Sequence, residues 1–270
     1  MSGACQSGGR FPISRIQLVA LITLLTLLLA LAGCGPKDPA WARMQETGVL
    51  RVGMDAAYPP FESLDENGQV VGFDVDMARE IGRRLGLEVQ FVNIAYDGLY
   101  DALVTGQVDV LISALVPAYG TERARFSEPY FNAGDVLVVP PGSSIEEMRD
   151  LGGRTLAVEY GSGGDVEARK WERRVAALTI ERYDTPASAI DAVLAGEADA
   201  ALVDGISARL AVGQHPDDLM LAEGVTETLF AIAVHEDSNI LLREINTLVE
   251  EMIEDGTRDA LTQKWFGAPY

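Results

Sequence analysis

Cysteine is nearly absent from this sequence, with 2 in 270 residues, Cys5 and Cys34. If Cys5 leaves with an N-terminal leader, no internal disulfide can form in what remains. Histidine is as scarce, with only His215 and His235, and no Cys/His cluster exists, which argues against a zinc site. Positive charge is thin too: 21 Lys and Arg stand against 41 Asp and Glu, for a net charge of −20. That balance opposes binding to nucleic acid and to anionic lipid headgroups, and it suits the solubility of an exported protein. The sequence contains no G-x-S-x-G nucleophile turn, no phosphate-binding P-loop and no G-x-G-x-x-G dinucleotide fingerprint. No cofactor and no metal are expected.

A long apolar span is also missing. Residues 16–32 are apolar except Gln17, Thr23 and Thr26, with Arg10 and Arg15 before them and no acid. A membrane span wants about 20 apolar residues, so this shorter run reads as a secretory signal. It ends Leu31-Ala32-Gly33-Cys34, a sequence that resembles the bacterial lipobox, in which a diacylglycerol is attached to the cysteine. Residues 1–33 are therefore expected to be a signal peptide, Cys34 a lipidated residue, and residues 34–47 a lipid-anchored tether. The rest of the chain then lies outside the cytoplasm, in the periplasm or at the cell surface.

Beyond the leader, strand and helix alternate. Residues 49–53 predict a strand. Residues 73–85 predict a helix with Val75, Ala78, Ile81, Gly82 and Leu85 on one stripe, and residues 87–92 predict another strand. This pattern indicates α/β layers with a largely parallel sheet. One unit then appears twice. Residues 101–112 read DALVTGQVDVLI and residues 191–202 read DAVLAGEADAAL, each preceded by Tyr-Asp, at Tyr96-Asp97 and Tyr183-Asp184. Each copy predicts a helix end, a stop at Gly106 or Gly196, and an aspartate, Asp109 or Asp199, entering a buried strand. The spacing is too long for a solenoid and implies two similar lobes. Ligands sit beyond the carboxyl ends of strands in such sheets. The first copy puts Ser113 and Ala114 there, and the second puts Asp204 there.

Several short motifs in order carry a family resemblance: Gly72-Phe73-Asp74-Val75-Asp76-Met77-Ala78, Tyr96-Asp97-Gly98-Leu99, Phe126-Ser127-Glu128-Pro129-Tyr130-Phe131, Ala157-Val158 with Gly161-Ser162-Gly163, and the ending from Asp255-Gly256-Thr257 through Lys264-Trp265-Phe266-Gly267. Over residues 48–270 the chain resembles the family 3 extracellular solute-binding proteins of polar amino-acid ABC transporters. The resemblance implies an α/β, two-lobed, periplasmic-binding-protein-like (type II) fold. Each lobe is a mixed, mostly parallel sheet flanked by helices, and a two-strand hinge joins them. Lobe 1 would comprise 48–132 and 230–270, and lobe 2 would comprise 133–229. The stretches 133–139 and 228–233 would cross the hinge, and Lys264-Trp265-Phe266 would pack the last helix onto lobe 1.

The resemblance also implies a receptor that captures a polar amino acid, a basic one included, and delivers it to an ABC permease as a monomer. Asp204 matches the ammonium ligand and Asp55 a ligand-side acid. Tyr58 and Tyr96 match aromatic walls, and Ser162 and Gly163 would offer hydroxyl and N–H groups to a carboxylate. For the carboxylate guanidinium, Arg123 stands in a family-like Thr-Glu-Arg with spacings that do not match, and Arg125 competes. Glu159 stands where some relatives carry lysine, and with Asp55 and Asp204 it would suit a cationic ligand. Two other functions fit the same resemblance: an enzyme using Glu62 or Glu159 as general acid or base, of the cyclohexadienyl-dehydratase or lytic-transglycosylase kind, and a ligand-sensing ectodomain.

Overall fold

A computed structural model describes residues 38–117 and 123–268. The expected signal peptide and Cys34 lie outside the described residues. The described chain opens with helix α1 (Pro39–Thr47), where the sequence suggested a tether. The physical reason is a single buried carboxylate. Asp38 Oδ1 accepts from Trp41 N at 3.0 Å, capping α1. Its Oδ2 accepts from Ile240 N and Leu241 N at 2.9 and 3.0 Å, at the start of a later helix. Pro39 suits the first helical turn, and Met44 is fully buried in the core.

After α1 come β1 (Val49–Met54), β2 (Ala57–Tyr58), β3 (Glu62–Leu64), β4 (Val70–Val71), α2 (Phe73–Leu85), β5 (Glu88–Asn93), α3 (Leu99–Val104), β6 (Val110–Leu111) and β7 (Ala124–Phe126). The chain then crosses through β8 (Phe131–Asn132) into β9 (Asp135–Val139), β10 (Thr155–Glu159), α4 (Gly163–Glu172), β11 (Thr179–Tyr183), α5 (Pro186–Leu194), β12 (Ala200–Asp204), α6 (Gly205–Gln214) and β13 (Met220–Gly224). It returns through β14 (Leu229–Phe230) to β15 (Ala233–His235), α7 (Asn239–Glu254) and α8 (Thr257–Phe266).

Two five-stranded sheets result, ordered β5-β1-β6-β15-β7 and β11-β10-β12-β9-β13. In each, three parallel strands lead, and a fourth runs antiparallel to them. That fourth strand is in both cases the first one laid down after the chain crosses between lobes. The helix–turn–strand unit repeats atom for atom. Gly106 and Gly196 both sit at φ 72° and donate to Leu103 O and Val193 O at 3.1 Å. Asp109 N donates to Arg51 O, and Asp199 N to Thr155 O, each at 2.9 Å. The carboxylates return the contact, accepting from Arg51 N and Thr155 N at 2.8 Å.

The crossing is short and tightly packed. β8 and β14 pair antiparallel, Phe131 opposite Phe230. Asn132 Oδ1 accepts from Gly134 N and Thr228 N at 2.9 and 3.0 Å, tying the two passes together. A Cβ on Gly134 would lie 2.1 Å from Thr226 O, so only glycine allows this approach. Beneath it, Phe61 meets the rings of Phe131, Phe230 and Phe266 at 5.0, 5.3 and 5.4 Å, an edge-to-face aromatic cluster. Lys264 and Trp265 both donate to Asp76 Oδ2, fixing α8 against α2.

Candidate functional site

Strands β1, β6 and β12 and the start of α4 meet at one cleft of about 670 Å³ between the two sheets. That is the size and position of a small-molecule site in an α/β fold. On the lobe 1 side Asp55 follows β1, and its Oδ2 accepts from Tyr96 N at 2.9 Å. Tyr58 and Tyr96 also line the cleft and remain about half exposed, at 46 % and 55 %. Burial, then the negative charges of Asp204 and Glu62, push the Tyr58 hydroxyl up.

The floor is a chain of polar contacts. Asp55 N donates to Ser113 Oγ at 3.1 Å, and Ser113 Oγ donates to Glu62 Oε1 at 2.7 Å. Behind it, Asp74 Oδ2 accepts from Ala114 N at 2.7 Å and from the Tyr130 hydroxyl at 2.8 Å. Ala114 takes φ 45°, unusual for a residue with a side chain, and the bond to Asp74 holds it there. Glu62 is 1 % exposed, and burial beside the Asp74 charge pushes it up to about 10. Asp74, fully buried, rises to about 6, restrained by its bonds from Ala114 and Tyr130. Near neutral pH Glu62 therefore holds a proton beside the Asp74 carboxyl.

On the lobe 2 side Asp204 caps α6, its Oδ1 accepting from Ile206 N and Ser207 N at 3.1 and 2.9 Å. Directly opposite it in the β9–β12 ladder stands Asp135, a cleft residue the sequence did not suggest. Asp135 is raised by burial and by the neighbouring charges of Asp204 and Glu167, against a hydrogen bond from Thr226. Apolar surface comes from Ala57, Ala133, Ile206 and Phe230.

These residues can be compared with known proteins. Residues 50–268 match the bacterial extracellular solute-binding proteins, family 3. The chain belongs to this family. The L-cystine-binding protein TcyJ of Escherichia coli is 30 % identical over 233 residues, 84 % of this chain and 85 % of that protein. An ancestral cationic amino acid solute binding protein of solved structure is 31 % identical, with a TM-score of 0.60 over 83 % of this chain and 98 % of that one. The unliganded, open L-cystine receptor of Neisseria gonorrhoeae shares the fold, with a TM-score of 0.73 at 23 % identity over 86 % of this chain and 98 % of that one. The family's members are extracellular, and among the described residues no helix is long and apolar enough to cross a membrane.

Of the site residues that the sequence suggested, Asp55, Tyr58, Tyr96, Ser113, Ala114, Gly163 and Asp204 line the cleft. Ser162 does not. Its hydroxyl accepts from Asp165 N at 3.1 Å and donates to Glu159 O at 2.9 Å, so it is used as the α4 cap. Glu159 ends β10 outside the lining. Arg123 sits at φ 73° with its guanidinium 3.7 Å from Glu236 and mostly exposed, and Arg125 bonds Asn239 in a separate groove. Both arginines fall short because the segment returns immediately as β7, which pairs with β15 along the far edge of the sheet. Glu62, which the sequence offers only as an acid or base, lies in the cleft floor. No local signal marked Asp135, because its place depends on pairing with a strand about 70 residues away.

Proposed function

We propose that this protein is an extracytoplasmic receptor that captures a polar, cationic solute of the amino-acid type and hands it to an ABC permease. The observation that carries the reading is the cleft itself. Carboxylates stand on both walls, Asp55 on one and Asp204 with Asp135 on the other, while Tyr58 and Tyr96 line its lobe 1 side. An ammonium needs desolvated carboxylates, and aromatic faces hold the attached chain. Two walls carried by separate sheets gain contact with a ligand only when they approach, so binding favours lobe closure about the β8–β14 crossing. In this reading lobe 1 ends near residue 132 and resumes near residue 230. The leader and its Leu-Ala-Gly-Cys ending support a lipid anchor on Cys34 at the membrane surface.

The protonated carboxyl of Glu62 supports a second reading, an enzyme of dehydratase type, since a general acid in a cleft requires such a group. Its bonds to Ser113 and its place beside Asp74 assign it a structural use instead.

The test is thermal unfolding of the purified full chain against free amino acids and amines. A true ligand at about 100 times its Kd adds about 2.7 kcal/mol of stability. We expect a saturable rise with cationic solutes that is lost in Asp204→Ala and retained in Arg123→Ala. No rise with any solute, or conversion of a bound solute to product, overturns the receptor reading.

A further inference from the structure

An amino-acid ligand brings a carboxylate as well as an ammonium, and a carboxylate needs a guanidinium fork or a free helix N-terminus. No Lys or Arg lines the cleft among the described residues. The stretch Ala118-Tyr119-Gly120-Thr121-Glu122 adds none, and Arg123 and Arg125 are engaged with Glu236 and Asn239. Two helices start at the cleft, and a carboxylate of the protein stands beside each start. Asp204 accepts from the first turn of α6. At α4, Asp165 Oδ2 accepts from Gly161 N at 3.2 Å, and Asp135 Oδ2 lies 2.9 Å from where a Cβ on Gly163 would stand. A ligand carboxylate approaching Gly163 would meet Asp135 first.

The same surroundings suit positive charge. Asp135 and Asp204 are direct partners in one ladder, where like charges facing each other destabilise the pair until a cation comes between them. Across the cleft, Asp55 presents a further carboxylate. The floor beneath is polar but adds no charge: Glu62, 1 % exposed, keeps its proton and is bonded to Ser113 and Asp74. Among the described residues no three such groups converge as a metal ion would require. Carboxylates on separate walls fit instead a cation with a charge at each end and an apolar chain between, which Ile206 and Phe230 can cover.

Given the receptor reading above, on which this rests, we propose that the cleft takes an organic dication without a carboxylate, an α,ω-diamine or an amino-guanidine, in preference to the corresponding basic amino acid. Matched pairs that differ only by the carboxylate test it: agmatine against arginine, cadaverine against lysine, putrescine against ornithine, titrated calorimetrically into the full chain. In at least one pair the amine is expected to bind about ten-fold tighter or more. Asp135→Asn is expected to narrow that gap several-fold by admitting the carboxylate at Gly163. Asp135→Ser serves the same purpose if the first variant does not fold, as judged by its melting curve. If every amino acid equals or exceeds its amine, the proposal falls while the receptor reading stands. If the gap survives both Asp135 variants, the role given to that carboxylate is overturned. If neither series nor any neutral amino acid binds, the receptor reading itself fails.

Discussion

Asp109 and Asp199 close the same turn in the two lobes with the same backbone bonds, yet their side chains live in different surroundings. The Asp109 side chain is 1 % exposed and holds both Arg43 and Arg51, bringing α1 onto the sheet. The Asp199 side chain is 34 % exposed and holds only Arg154, at 3.0 Å. The strands that follow diverge further. One ends at Ser113 and Ala114, tied into the buried Glu62–Asp74 pair, whereas the other ends on the Asp204 carboxylate. A repeated backbone unit thus delivers two strand ends to one cleft, and the residues placed on those ends decide that one becomes a protonated floor and the other a charged wall.

The comparison can be broken most easily at the two turn aspartates. Removing one partner of a buried, hydrogen-bonded ion pair strands the others, so Asp109→Ala should cost about 3 kcal/mol or more, and Asp199→Ala about 1 kcal/mol. Urea unfolding of the two variants checks this, and equal losses would mean that the burial difference carries no energy. Next in size is Asp204→Ala. Without ligand it should lose about 1 kcal/mol, the worth of a helix cap, and with ligand present it should also lose the added stabilisation. An equal loss in both conditions would leave Asp204 as a cap alone.

The most pH-dependent effect belongs to the floor. Glu62 keeps its proton up to about pH 10 in the folded chain, but unfolded it titrates in the ordinary carboxylate range. The folded state therefore binds the extra proton between these limits, and the associated stability declines as pH rises through that window. Asp74, raised to about 6, adds to the decline on its acidic side. Glu62→Gln keeps an acceptor for Ser113 and a donor toward Asp74. It should match the parent near pH 5 and exceed it by a margin that grows as pH rises to 8, measured as melting curves across pH. A constant difference across that range would show that Glu62 is not the titrating group.

How much of this was legible in advance follows from the range of each interaction. The helix at Phe73–Leu85 was readable because its apolar stripe, its acidic first turn (Asp74, Asp76) and its basic last turn (Arg83, Arg84) are all local. The repeated unit was readable because a glycine stop and a turn aspartate recur at fixed spacing. Asp204 could be picked out because ligands gather at strand ends, and Asp55 because of the family resemblance. Helix α1 was misjudged as tether, since the bond that docks it joins Asp38 to the start of α7, about 200 residues away. The placement of Arg123 is not legible, because its motif is local while its position is set by the pairing of β7 with β15.

The sequence by itself determined the alternation of strands and helices, the two lobes and the acidic balance, because composition and periodicity are properties of the chain alone. Only the tertiary structure decided that Asp135 faces Asp204, that Glu62 shares a buried site with Asp74, and that neither arginine reaches the cleft. Those facts rest on strands paired across long stretches of chain and on charges whose cost appears only once burial removes them from water.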